Sequence, residues 1–176
     1  MVVEVLSPMV RTPTEPPAPS DPRDPWHAQA TALRSLGEGP RSRLEAIAGR
    51  TIFVAGEVVL RDGAPTPFLG LVEAGRIGLR LSVPERGNQT VVTIEPGELV
   101  GWSAVVPPFR ATAEAVALEP TRVLTFEAAA LRELLATDAE LAAQLLPVLL
   151  ATLSDRLTSS WQQLLDLFAT GSVEPW

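Results

Sequence analysis

Between residues 51 and 126, apolar and polar positions alternate in short runs that glycine or proline cuts off. The runs cover 52–55, 57–60, 68–73, 75–83, 89–94, 110–118 and 121–126. Arg61-Asp62-Gly63, Ala74-Gly75, residues 84–88 and Glu95-Pro96-Gly97 stand between them. In the 75–83 run, Ile77, Leu79 and Leu81 fall on one side and Arg76, Arg80 and Ser82 on the other, the period of a half-buried strand. Many short strands at this spacing predict a mainly β sandwich, barrel or jelly roll. No long helical pattern interrupts them, which argues against an α/β fold.

From residue 127 onward the period becomes helical. A short helix is predicted over 127–135, and Thr137-Asp138 offers an N-cap to a helix over 139–146. Pro147 sits either in the first turn of a further helix or as a kink in a continuous one. Beyond it Leu150, Leu153, Leu157, Leu164 and Leu167 form an a/d-like seam with Ser160 as its polar gap. Leu149, Trp161, Leu165 and Phe168 widen that seam. A helix over 148–168 is about 31 Å long, and Gly171 stops it. So wide an apolar face needs cover, from the chain's own core, from a second copy, or from both.

The beginning of the chain is different. Prolines at 8, 13, 16, 17, 19, 22 and 25 make residues 1–25 a disordered tail or tether. A helical segment is expected over 26–50: one short helix near 26–36, ended by Gly37-Glu38-Gly39-Pro40, then a turn or two over 41–48. The expected organisation is thus a 1–25 tail, a 26–50 helical segment, a 51–126 β-roll, C-terminal helices over 127–170 that form one domain with the roll, and a 171–176 tail.

Composition narrows the chemistry. The net charge is −7 and there is no basic run, so nucleic acid and anionic membranes are poor partners. All fourteen cationic side chains are arginine, which excludes Schiff-base and P-loop lysine chemistry. Without cysteine there are no disulfides, thiolate nucleophiles or thiolate metal sites, and the single histidine, His27, excludes multi-histidine centres. No segment is apolar enough to span a bilayer and the start carries no signal peptide, so a cytoplasmic protein is expected. Asp62, Glu73 and Glu98 make no defensible carboxylate pair, and Glu73 and Arg76 read as a solvated pair across a glycine turn. Ser103 lacks a base and the second glycine of a nucleophile elbow. Neither an enzyme, a cupin-like jelly roll included, nor a bound cofactor is expected.

One stretch carries candidate chemistry. Gly101 permits a tight strand exit, a very short apolar stretch follows, Pro107-Pro108 closes it, and Arg110 opens the next run beside Ala111, Thr112 and Ala113. Amides near Ser103 and Ala104 make a positive nest, and Arg110 offers a forked donor pair, a set that suits a small phosphate. Spacing alone leaves another reading open, with Arg110 a surface strand residue and Gly101 a simple turn.

The order of these elements resembles the cyclic nucleotide-binding domain of the Crp/Fnr type over about residues 41–168. The matching stretches are residues 56–63 and 71–77, the Gly101–Ala104 and Arg110–Thr112 stretches, and the closing helix with Asp155-Arg156-Leu157. The resemblance implies an eight-stranded β-roll with flanking helices and a phosphate-binding cassette. Arg110 would pair with a cyclic phosphate, the backbone of Ser103 and Ala104 would cap it, and Thr112 would reach the phosphate or base. The ligand would be cAMP, cGMP or another small phosphate compound. The closing helix would serve as a dimer or hinge helix.

Two departures stand out. The family's cassette carries glutamate directly after its glycine, to accept from the ribose 2′-OH, whereas this chain has Trp102, a donor-only indole. The cassette is also shorter than usual, and Gly-Trp-Ser resembles a divergent subgroup of these domains. Crp/Fnr regulators continue into a helix-turn-helix, for which residues 169–176 leave no room, so direct DNA binding is not expected. Two readings follow. One is a standalone sensor in which Gly101, Trp102, Ser103, Ala104, Arg110, Ala111 and Thr112 bind ligand and the C-terminal helix signals. The other is a dimerising adaptor whose pocket Trp102 closes.

Overall fold

The structure, a computed structural model, describes Leu33, residues 35–83 and residues 87–170. The alternating runs become eight strands: β1 (Ala48–Phe53), β2 (Val58–Leu60), β3 (Phe68–Ala74), β4 (Ile77–Val83), β5 (Gly87–Ile94), β6 (Leu99–Val100), β7 (Glu114–Ala117) and β8 (Thr121–Glu127). They pair in two four-stranded antiparallel sheets, ordered β1-β8-β3-β6 and β2-β7-β4-β5. Three helices follow the pattern of the flanks: α1 (Glu38–Glu45), α2 (Ala128–Thr137) and α3 (Ala139–Thr170).

The first sheet is apolar on both faces because it divides two cores. Val72, Val100 and Val123 face the interior of the roll, among Phe53, Ile77 and Ile94. Their neighbours Leu69, Leu71, Leu99, Leu124 and Phe126 face the other way, onto Leu44, Leu131, Leu141 and Leu145 of the helices. This explains why β3 and β8 read as nearly continuous apolar runs. Gly75, with φ +81°, turns β3 into β4, where a Cβ would stand 2.5 Å from the Pro120 carbonyl oxygen.

The helix starts are chemically marked. Glu127 accepts from the N–H groups of Ala129 (2.9 Å) and Ala130 (2.6 Å), which holds its carboxyl below the usual range. Asp138 accepts from Leu141 N–H at 3.0 Å at the start of α3 and pairs with Arg43 of α1. α3 runs unbroken through Pro147, so that proline lies inside a continuous helix and not in the first turn of a further one. Leu141, Leu145 and Leu149 of α3 are buried on the core, while Leu146, Leu150, Leu157, Trp161 and Leu165 are exposed along one stripe. No helix among the described residues is long and apolar enough to cross a membrane.

Several sequence expectations need correction. Gly37-Glu38-Gly39-Pro40 begins a helix that was not expected to start there, since proline in a first turn forfeits no helical hydrogen bond. That helix stops at Glu45, and β1 starts at Ala48. Glu73 is no solvated group: its side chain is 2% exposed and accepts from Arg50 Nε at 3.1 Å and Arg122 Nε at 2.9 Å, while Arg76 pairs with Glu119. Leu81 is exposed, although it falls on the same side of the pattern as the buried Ile77. The helix expected near 26–36 falls almost entirely, and the terminal tails entirely, outside the described residues.

Candidate functional site

β6 ends at Val100, and Gly101 takes φ +75°, ψ +33°. A Cβ at that position would lie 2.5 Å from the Phe68 carbonyl oxygen, so glycine is required on both conformational and steric grounds. Trp102–Ala104 then form one 3-10 turn. Ala104 N–H donates to Gly101 C=O at 2.9 Å and Val105 N–H to Trp102 C=O at 3.1 Å. The Ala104 amide is therefore spent inside the turn. The Trp102 and Ser103 amides precede the first carbonyl the turn could offer them, so neither is spent inside it. Ser103 and Ala104 are buried and Trp102 is half-buried.

The chain returns through the cis Pro107-Pro108 bond to Phe109, a non-glycine residue at φ +62°. Phe109 N–H closes on Val106 C=O at 2.9 Å. Arg110 does not open β7, which begins four residues later. It makes an isolated bridge with Pro65 instead. Ala111 carries this pairing on, donating to Ala64 C=O and accepting from Gly63 N–H, each at 2.9 Å. Its side chain enters the roll interior, while Arg110 and Thr112 are exposed. Arg110 Nη1 donates to Gly63 C=O at 2.7 Å, and among the described residues no carboxylate pairs with Arg110.

The seven predicted residues thus form two arms, Gly101–Ala104 and Arg110–Thr112. Two residues that sequence reasoning missed join them. Thr66 N–H donates to Phe109 C=O at 2.9 Å. The Thr66 methyl Cγ2 lies 3.4 Å from where a Cβ on Gly101 would be, and its hydroxyl is buried without a partner. Arg132 of α2 donates through Nη1 to Ala104 C=O at 2.8 Å, and its guanidinium carbon lies 4.7 Å from the centre of the Phe109 ring. Nothing in the local pattern of α2 distinguishes Arg132 from a surface arginine. Thr66 sits among residues that read as loop.

The strand leading into the cassette is also held from outside. Arg156 of α3 donates to Leu99 C=O; burial pushes its guanidinium pKa down, and the nearby Glu98 opposes that shift. A cavity of about 450 Å³ opens here, lined by Thr93, Gly97, Glu98, Thr152 and Arg156 among others. None of the seven predicted residues lines it. Among the described residues no cluster of three or more His, Asp or Glu side chains could hold a metal ion.

Comparison with solved structures finds the same architecture. A Geobacter metallireducens protein assigned as cyclic nucleotide-binding superposes with a TM-score of 0.66 at 26% identity, over 73% of this chain and 92% of that one. A cyclic nucleotide-binding domain from Methylobacillus flagellatus gives 0.68 at 24% identity, over 74% of each chain. The catabolite activator protein of Thermus thermophilus gives 0.61 at 23% identity, over 78% of this chain and 62% of that one. No curated protein matches the sequence. Residues 50–138, about half the chain, match the cyclic nucleotide-binding domain family, and with its roll of two four-stranded sheets, its cassette and its C-terminal helices the chain belongs to that family.

Proposed function

We propose that the chain is a regulatory binding module that takes a small phosphate-bearing ligand, with cAMP and cGMP the first candidates, on the two arms of the cassette. The observation that carries this reading is Arg110. It is exposed, and no carboxylate among the described residues pairs with it, while the guanidiniums of Arg41, Arg43, Arg50, Arg76 and Arg122 are all matched to carboxylates. A phosphate suits the free edge of its fork and the two amides at the start of the 3-10 turn, which that turn leaves unused. Thr112, exposed two residues from Arg110, is a further donor. Binding is passed to α3, whose exposed leucine and tryptophan stripe pairs with the same stripe of a second copy.

The test is tryptophan fluorescence and thermal shift of the full chain at about 1 mM cAMP, cGMP or inorganic phosphate. A saturable response that Arg110→Ala abolishes supports the reading, and a flat response to all three removes it. Sedimentation then tests the stripe: Leu150→Glu with Leu157→Glu is expected to convert a dimer to monomer.

A second reading is favoured by Trp102. Its half-buried indole replaces an acceptor carboxylate with a donor, and losing a hydrogen bond to a charged group costs about 1.5–3 kcal/mol. In this reading the cassette is closed and the chain is a dimerising adaptor. Trp102→Glu separates the two: cyclic nucleotide binding gained only in that variant marks the wild-type pocket as closed.

A further inference from the structure

We propose that Arg132 is the positioning residue of the cassette, a single guanidinium on α2 that sets the distance between its two arms. The inference rests on the reading of residues 101–112 as a ligand site, but its test requires no ligand.

No strand pairing joins the two arms to each other, and only a five-residue loop connects them. Between them lie Val105 and Val106, the two prolines, and Phe109 in a left-handed conformation that costs a β-carbon residue energy. Arg132 grips both sides of this loop. Nη1 takes the carbonyl of Ala104, the last residue of the 3-10 turn, and the guanidinium carbon of the same group lies over the ring of Phe109, the residue before Arg110. The end of the 3-10 turn and the residue before Arg110 are thereby tied to one guanidinium.

Arg132 is itself anchored. It lies one residue after Leu131, which is fully buried, and in the first turns of α2, where Glu127 caps the helix. A ligand that draws the arms together or apart has to slide Ala104 and Phe109 relative to α2. A lysine would keep the charge and could reach one carbonyl, but it cannot lie flat on the ring at the same time.

The experiment is hydrogen–deuterium exchange on the ligand-free full chain, comparing wild type with Arg132→Lys, Arg132→Gln, Phe109→Leu and the Arg132→Gln/Phe109→Leu double variant. Exchange over residues 102–110 is expected to rise about tenfold in both Arg132 variants, with residues 68–83 unchanged. The double variant should be no faster than Arg132→Gln, since both changes break one clamp. Wild-type exchange over 102–110 in Arg132→Lys would overturn the two-handed clamp, because charge alone would then suffice. A rise spread evenly over the strands would also overturn it, by showing a role in stability only. Titration of wild type with cAMP and inorganic phosphate is scored separately, so a failed ligand reading leaves the exchange result intact.

Discussion

Two arginine sites at different places on the roll solve the same problem in opposite ways. At the β1–β3–β8 face, Glu73 is almost fully buried and both Arg50 and Arg122 reach it. At the cassette, Arg110 faces solvent with only the Gly63 carbonyl as partner. In the first case the chain supplies the anion itself. In the second the cation has only a backbone carbonyl, and no carboxylate among the described residues pairs with it. The first arrangement is a condition of folding, because a buried carboxylate stripped of its partners is costly. The second can be dismantled with little loss of stability.

The largest effect should come from attacking the complete site. Arg50→Ala with Arg122→Ala leaves a buried carboxylate without cations and is expected to cost about 3–5 kcal/mol in urea unfolding. Glu73→Gln should cost less, since the two arginines are partly exposed and can be hydrated. If Glu73→Gln proves the more damaging, the asymmetry of burial is not what governs this cluster.

Next in size is Gly101→Ala, which distorts the incomplete site without touching Arg110. The left-handed φ costs about 1–2 kcal/mol, and the approach to Phe68 adds to that. Thermal unfolding should fall by several degrees, and any response to cAMP should weaken. A wild-type midpoint would mean that this strand exit is not under the stated constraint.

Smaller still is Arg110→Ala. It removes one hydrogen bond, worth about 1 kcal/mol or less at an exposed position, yet it should abolish the fluorescence response to cAMP or phosphate. A stability loss like that of the Arg50/Arg122 pair would erase the distinction between the two sites.

The smallest effect concerns pH. Glu127 has a folded pKa below its ordinary 4.5 because the Ala129 and Ala130 amides favour the charged form. Its contribution is complete above pH 4.5 and is lost as pH falls through the depressed folded value. Glu127→Gln should flatten the acid limb of the stability profile by a few tenths of a kcal/mol. An unchanged limb would place the acid sensitivity elsewhere.

Much of this molecule was legible because periodicity is tied to burial. The strands β3, β4, β5 and β8 and the helices α2 and α3 follow from where leucine, valine and isoleucine recur. The Gly101 turn and the exposed stripe of α3 were likewise readable, one from glycine placement and the other from leucine spacing. What sequence could not give was which acid meets which arginine. Glu73 was assigned to Arg76, three residues away, but a register shift after Val72 and the pairing of β3 with β8 bring Arg122 and Arg50 to it. Arg132 and Thr66 stayed invisible for the same reason. Arg132 lies 28 positions from the carbonyl it holds, and long-range pairing leaves no local period.

Pro147 adds a mechanical property to α3. Proline has no N–H to give the carbonyl of Ala143, so the 32-residue rod lacks one rung there. Ala143 is exposed, and water can take the vacant acceptor. Bending therefore concentrates at this rung, just where leucines facing the roll, Leu145 and Leu149, adjoin leucines facing outward, Leu146 and Leu150. Leu149 and Arg156, both beyond that rung, still tie the helix to the roll, so what α3 can offer a neighbour is its outward leucine face and not a loose far end.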